Sequence, residues 1–391
     1  MSRIEKLTVT GLRNLADVAI ELSSRVNIFH GENGSGKTSL LEAIHLLSSG
    51  RSFRSAKLDP LITHGLEEAV VFTQLSDGLR IGLAKSRRRR HQLRLQEETQ
   101  KNWDSVARSL PLQIIDSTAF QLLEGGPKAR RRFLDWGVFH VEHSFLSAWR
   151  DSKKCLANRN ALLKAPRLDK PQLEAWDREF VAASVKVDAH RSAYLERFLP
   201  VFNEVYTQLE GSHLETLEIR YDRGWAEGSA LHDELGRMLK VDRRYGSTQL
   251  GPQRADLQLL LDRTPAADVL SRGQQKILVS ALKIAQGRLL SESLGVDCLY
   301  LIDDLPSELD PENRARVFAA LLSLNAQLFV TCVELEGLLL AKEGVLFSAL
   351  APSEIAQFHV EHGRITAWFS TQLSDNSSIK KHPGANPGDQ E

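Results

Sequence analysis

The residues with most chemistry to offer are Lys37 and Thr38, which close the stretch GENGSGKT at residues 31–38. That stretch fits the phosphate-loop pattern G-x-x-x-x-G-K-[ST] in full. Gly31, Gly34 and Gly36 let backbone N–H groups converge on phosphates without Cβ clashes, with Glu32, Asn33 and Ser35 completing the cradle. A helix starting near Lys37 adds the positive end of its dipole. Lys37 is expected at the β- and γ-phosphates and the Thr38 hydroxyl on Mg²⁺, so ATP and Mg²⁺ are the expected ligands. A glycine-rich turn matching by chance is the bland alternative. The strand-like RVNIFH before it and the helical spacing of Leu40, Leu41, Ile44 and Leu47 after it argue for function.

A second chemical element lies far downstream in CLYLIDDLPSELD, residues 298–310. An apolar run ending in two carboxylates reads as a buried parallel strand delivering acids to its C-terminal edge. Asp303 is placed to hold Mg²⁺ through water, and Asp304 to orient or deprotonate an attacking water. The alternative, a helix cap after a strand, loses ground beside a phosphate loop. Between the two elements stands LSRGQQK, residues 270–276. Ser271 is a natural helix cap and Gly273 permits close backbone approach, so this helix start could grip a γ-phosphate or simply be a capped helix. On these seven residues the two accounts stand level.

The elements that must position these residues can be read from the pattern. Residues 4–10 and 18–22 look like strands, and residues 69–95 like a hairpin running into RRRRHQLRL. Residues 130 to about 206 are mostly helical and amphipathic without a sustained heptad, which predicts a compact helical lobe rather than a long coiled coil. Past Gly251 and Pro252 the chain returns to strand–helix alternation, with a helix at 274–290, a strand at 297–302, a helix near 312–324 and a strand at 327–333. FHV and RITAW around Glu361, His362 and Gly363 form a hairpin. The expected division is an ATPase lobe begun at 1–125, a helical lobe at 126–249, the lobe completed at 250–370, and a disordered tail at 371–391. The class is α/β, a mixed sheet with helices carrying an inserted helical lobe.

Bulk composition narrows the function. Lys+Arg and Asp+Glu are each 50 in 391 residues, so any nucleic-acid contact rests on local basic patches. Three cysteines without a C-x-x-C pair argue against a disulfide framework or zinc ribbon and fit a reducing cytosol. No stretch reaches membrane-spanning length and no apolar signal core opens the chain, so a cytoplasmic protein with no membrane partner is expected.

The order GENGSGKT, LSRGQQK, LYLIDDLPSELD resembles the SMC-like, ABC-type ATPases of DNA repair, and further stretches are similar to the bacterial RecF family. These are LRN at 12–14, GRSFRS at 50–55, LLEGGPKARRRFLDWGVFH at 122–140 and LGPQRADL at 250–257. The resemblance spans residues 1 to about 368. It implies an ABC-type P-loop ATPase head and an ATP-dependent homodimer in which Ser271 and Gly273 reach the partner's nucleotide. The turn Ser307, Glu308 and Asp310 would lie on the dimer seam, with Asp310 near nucleotide. It also implies binding to single-stranded, double-stranded and gapped DNA, a RecR partner, and help in loading RecA during replication, repair and the SOS response to DNA damage. A weak DNA-stimulated ATPase that resets the DNA clamp is the expected activity, with Lys37 and Asp304 as its catalytic residues. Three positions depart from the pattern. Gln253 replaces a usual His, the segment 116–119 replaces Ser/Thr-Pro-Glu, and Thr331 stands where transporter ATPases carry a switch histidine.

Candidate DNA contacts are Arg51 and Arg54, which flank Phe53, and the run Arg87, Arg88, Arg89, Arg90. Arginines on a cleft face would neutralise phosphates without reading sequence. A solvated hairpin tip is an equally good account of the run. For KARRR at 128–132, salt bridges inside the helical lobe are the better account. The pairs His140/His143 and His359/His362 lack further ligands and read as structural rather than zinc-binding. Rival functions are a transporter energy module, which Thr331 and the long helical insertion oppose, and an SMC-type tether, which needs absent heptads. A coupled nuclease would need a second acidic cluster, which the sequence does not supply.

Overall fold

The computed structural model describes residues 3–368 except 56, 211–216, 305–308, 336–337, 339, 342–343 and 346–349. Ser307, Glu308 and the tail from 371 therefore lie outside the described residues.

The phosphate-loop strand Val26–His30 sits inside a six-stranded sheet. Ile355–Glu361 runs parallel to it on one side, and Gln327–Cys332, Leu299–Ile302 and Leu112–Ile115 follow in parallel on the other. Arg364–Trp368 closes the edge antiparallel. The strands LYLI and QLFVTC are buried throughout, as parallel strands covered on both faces must be. All the parallel strands end on one edge, and there the chemistry-bearing residues meet.

A second, antiparallel sheet has the order Val18–Glu21, Ile4–Thr10, Glu68–Leu75, Arg80–Ser86, Gln92–Leu95 and Glu98–Gln100. Burial alternates along Glu68–Leu75, so one face of this sheet is core and the other solvent. The helix Lys37–Ser49 packs between the two sheets, its Leu40, Leu41, Ile44 and Leu47 sharing a core with Val71, Leu83, Leu301 and Phe329. It ends at Gly50, whose φ of 66° is the left-handed C-cap that favours glycine. The helix is thus clamped from both sides, which holds the phosphate loop rigidly at its start.

The helical segment comprises Pro127–Val141, Phe145–Lys164 and the 41-residue Lys170–Glu210. Tyr194, Phe198, Phe202 and Tyr206 recur every fourth residue on the long helix and stack with ring centroids 5.5 to 5.9 Å apart. That ladder enters one core with Phe133, the helix Arg272–Leu294 and the sheet residues Val26 and Ile28. Helical spacing of large rings therefore ties this segment to the head. Farther out, a smaller core of Cys155, Phe180, Trp225, Leu231 and Leu235 surrounds the fully buried Arg159. Its guanidinium donates to Asp177 at 2.6 Å, Asp242 at 2.6 Å and Thr248 at 2.8 Å, the compensation a buried charge requires. A third sheet pairs Asp256–Leu261 with Leu217–Asp222 and with Thr264–Pro265.

Candidate functional site

The loop between Val26–His30 and Lys37–Ser49 reverses the chain through three left-handed glycines, with φ of 150° at Gly31, 81° at Gly34 and 120° at Gly36. At Gly31 the need is also steric, because a Cβ would stand 2.1 Å from the Val360 carbonyl oxygen. Lys37 Nζ turns back to donate to the carbonyls of Gly31 at 2.6 Å and Glu32 at 2.9 Å. Those carbonyls hold the ammonium in the mouth of the loop, where phosphate oxygens would replace them. Burial lowers the Lys37 pKa, against the opposing pull of Asp304 and Asp303.

The acidic edge comes to meet the loop. Thr38 Oγ1 donates to Asp303 Oδ1 at 3.0 Å, and Thr331 Oγ1 donates to the same oxygen at 2.7 Å. Thr331 in turn accepts from the Asp304 backbone N–H at 2.9 Å. Asp304 has a φ of 52°, in the left-handed region that non-glycine residues seldom adopt. Burial raises the Asp303 pKa, partly offset by the hydroxyl donors Thr331 and Thr38. A hydroxyl and a carboxylate are hard oxygen ligands, and a cation would relieve the buried carboxylate. Thr38 and Asp303 therefore fit Mg²⁺.

Groups from both ends of the chain buttress the loop. Asn14 Nδ2 donates to the Gly34 carbonyl at 2.8 Å and Asn14 Oδ1 accepts from Ser39 at 2.9 Å. The C-terminal hairpin turns through His362 and Gly363, both left-handed, and the Gly363 N–H donates to the Ser35 carbonyl at 2.7 Å. A Cβ on Gly363 would lie 2.0 Å from the Asn14 carbonyl oxygen. Neither Asn14 nor Gly363 is identifiable as a loop support from spacing, because each is remote from the loop in sequence. The fully buried Glu42 is a further hub. It accepts two hydrogen bonds from Arg13, both 2.7 Å, and one from Ser52.

A cavity of about 560 Å³ opens over the loop, its lining including Lys37, Thr38, Asp303, Asp304, Asn33 and Thr331. Arg54 and Arg87, expected on DNA, line this same cavity. Arg87 ties down the segment 59–66, donating to Asp59 Oδ1 at 2.6 Å and to the carbonyls of Asp59, Ile62 and Leu66. Arg88 pairs with Glu67 at 3.1 Å. Arg89 and Arg90 are exposed, and so is Arg51. In the KARRR run, Arg130 pairs with Asp256 at 2.7 Å and Arg131 donates to the Ala255 carbonyl at 2.6 Å, partners that lie beyond the expected helical-lobe boundary at 249, while Lys128 and Arg132 are exposed.

Ser271 stands apart from this cavity. It is exposed at the start of Arg272–Leu294 and forms a reciprocal cap with Gln274, the Ser271 N–H donating to Gln274 Oε1 at 2.9 Å. Gly273 follows in the first turn, and a Cβ there would meet no atom within 4 Å. Nothing inside the described chain asks for glycine at that point. Arg272 pairs with Glu124 and lies over the Phe120 ring at 5.0 Å, anchoring the helix start. Asp310 caps the helix Pro311–Ser323, accepting from the N–H groups of Glu312 and Asn313 at 3.1 and 3.0 Å. It is absent from the cavity lining.

The sequence and fold place this site among known ATPases. The family model for the RecF/RecN/SMC N-terminal domain matches residues 3–347. The DNA replication and repair protein RecF of Stutzerimonas stutzeri (strain A1501) is 45% identical over 381 residues, covering 96% of this chain and 99% of the relative. The chain belongs to the RecF family. RecF of Azotobacter vinelandii is 47% identical over 365 residues, covering 92% of this chain and 97% of the relative. Among solved structures, the recombination mediator protein RecF with ATP in the RecFOR pathway superposes with a TM-score of 0.81 at 25% identity, covering 94% of this chain and 98% of that one. An Smc head bound to the C-terminal winged-helix domain of ScpA shares the fold alone, with a TM-score of 0.54 at 14% identity and coverage of 95% and 99%. The fold is thus the ABC-type ATPase head expected from the sequence.

Within this RecF-family chain the three departures have visible consequences. Gln253 folds onto its own turn, donating to the Leu250 carbonyl at 2.7 Å. Thr331 bridges Asp303 and Asp304 in place of any ring. Asp116 stands beside Asp303, because the parallel register pairs Ile115 with Ile302. Burial holds His140 down to about 3, with Arg108 adding to the effect, and it packs on Trp136 and Phe139. Among the described residues no His, Cys, Asp and Glu group is arranged to hold a metal by itself, and no helix is long and apolar enough to cross a membrane.

Proposed function

We propose that this RecF-family protein is an ATP-operated DNA-binding dimer of replication and repair, in which two heads close on DNA when each holds ATP. The observation that carries the reading is the separation of Ser271 from the cavity. Loop, acidic edge and bridging threonine are assembled on one chain, whereas the Ser271 helix start faces outward with an unobstructed Gly273 beside it. A helix N-terminus with a hydroxyl is suited to a phosphate, and a second copy is what can bring one there. The RecF structure solved with ATP supports ATP as the nucleotide.

In this reading Lys37 shifts from the loop carbonyls to the β- and γ-phosphates, and Thr38 with Asp303 holds Mg²⁺. ATP supplies the phosphates that join the two heads. Asp304 orients water in the cavity, and Ser271 and Gly273 close the partner's site. Hydrolysis removes the shared γ-phosphate and releases the pair, making this a slow, DNA-stimulated ATPase in the cytoplasm. Binding to single-stranded, double-stranded and gapped DNA, a RecR partner and RecA loading belong to the same proposal and rest on family membership. Asp310 and the seam turn would meet the partner copy.

Asp304→Asn tests the cycle. Removing a group that positions or deprotonates water should slow hydrolysis by about 10²- to 10⁴-fold while ATP still binds. The variant should accumulate as a DNA-loaded dimer, visible in sedimentation with ATP and gapped DNA. A variant that hydrolyses at the wild-type rate, or that cannot dimerise with ATP, contradicts the assignment.

A further inference from the structure

Three cations from three separate elements converge at the far end of the helix that begins at the phosphate loop. Arg51 follows the helix C-cap Gly50, Lys85 lies on Arg80–Ser86, and Lys153 lies on Phe145–Lys164. Arg51 and Lys153 are exposed and Lys85 is half-buried, and an indole ring stands beside each lysine. The Trp103 ring lies where a Cβ on Gly50 would be, 2.3 Å from it, and Trp103 Nε1 donates to the Leu47 carbonyl at 3.3 Å. Lys85 Nζ sits 5.2 Å over that ring and donates to the Gly50 carbonyl at 2.8 Å, next to Arg51. Lys153 Nζ lies 3.5 Å over the Trp149 ring on its own helix, and Arg150 of that helix pairs with Asp104, adjacent to Trp103, at 2.6 Å.

Among the described residues no ion pair engages Arg51, Lys85 or Lys153, whereas neighbouring arginines are taken up by Asp104, Asp59 and Glu67. Burial lowers the pKa of Lys85 and of Lys153, and the nearby Arg51 charge lowers both further, with Asp135 pulling Lys153 the other way. Converging cations left unneutralised are unfavourable until an anion arrives. Two indole plates hold two of the ammonium groups in place, so little side-chain freedom is lost when the anion binds.

We propose that Arg51, Lys85 and Lys153 form a duplex-DNA backbone contact of this chain, with Trp103 and Trp149 as its supports. Cations brought together from separate elements suit a polyphosphate backbone and give salt-dependent, sequence-blind affinity. The site lies one 13-residue helix away from Lys37, about 20 Å, so its chemistry is separable from that of ATP. It assigns the DNA contact to a composite cluster rather than to the Arg87–Arg90 run, of which Arg87 and Arg88 are already paired. The inference rests on the DNA-binding reading above.

The test compares the wild type with the triple variant Arg51→Gln, Lys85→Gln, Lys153→Gln and with a distal control, Arg237→Gln, Lys240→Gln, Arg244→Gln, that removes the same charge. Binding to a random-sequence 30-bp duplex is titrated over a salt series with ATP present. The triple variant should keep ATP binding and ATP-driven dimerisation, lose about 30-fold or more in DNA affinity at 0.1 M salt, and show a log–log salt slope shallower by about 2 to 3. Arg51→Glu alone should move both quantities the same way. The control should match the wild type. A triple variant with unchanged affinity and slope, or a control that falls as far, overturns the site while leaving the DNA-binding reading intact. A wild type that binds no DNA with ATP overturns that reading and the site together.

Discussion

Lys37→Met yields a folded chain that binds ATP roughly 10- to 150-fold more weakly and stays monomeric at nucleotide concentrations that saturate the wild type. The magnitude follows from charge-assisted hydrogen bonds worth about 1.5–3 kcal/mol, at about 1.4 kcal/mol per decade. Lys37 is the cation held in the mouth of the loop, and its donors are engaged by the Gly31 and Glu32 carbonyls. Methionine keeps the length and apolar stem of lysine, so the helix Lys37–Ser49, anchored by Leu40, Leu41 and Ile44, has no reason to unfold. Equilibrium dialysis with labelled ATP measures the loss, and circular dichroism confirms the fold. Wild-type affinity in this variant would mean that the cavity does not grip phosphates through Lys37.

Ser271→Arg separates the two sites on one chain. ATP binding by the monomer should stay within about twofold of wild type, because Ser271 does not line the cavity. Dimerisation should weaken by roughly 30- to 5,000-fold, the equivalent of about 2–5 kcal/mol for a charge pressed unpaired into an interface. Arginine also removes the cap that Ser271 shares with Gln274, worth about 1 kcal/mol. Ser271→Thr retains both cap and hydroxyl and should dimerise normally, which distinguishes a damaged helix start from a blocked contact. An Ser271→Arg protein that still dimerises with ATP would remove Ser271 from the partner's site. One that no longer binds ATP as a monomer would place it in its own site instead.

The features legible in the sequence are those whose signal is continuous. GENGSGKT with a strand before it and a helix after it, and LYLI running into Asp303 and Asp304, each carry pattern and chemistry in one short stretch. The fold brings Thr38 and Asp303 to 3.0 Å. The supports of the loop were not legible in the same way. Asn14 and Gly363 reach it from opposite ends of the chain, and nothing in LRN or EHGR specifies a carbonyl 2.8 or 2.7 Å away. The strand Leu112–Ile115 has only four residues, and its place beside the acidic strand is set by tertiary pairing. Charge runs were the weakest guide. Counting arginines marks RRRR, but whether a guanidinium is available depends on Asp59, Glu67 and the carbonyls near it, which only the fold brings together. The convergence of Arg51, Lys85 and Lys153 leaves no trace in local sequence, because it joins a helix end, a strand and a separate helix.

The proposed dimer requires that ATP be shared between two copies of this chain. Sedimentation velocity of the wild type at fixed protein concentration, without nucleotide and then with saturating ATP and Mg²⁺, tests it most directly. The expected result is a monomer that shifts to a dimer only when ATP is present. A sedimentation coefficient unchanged by ATP, with nucleotide demonstrably bound, would contradict it.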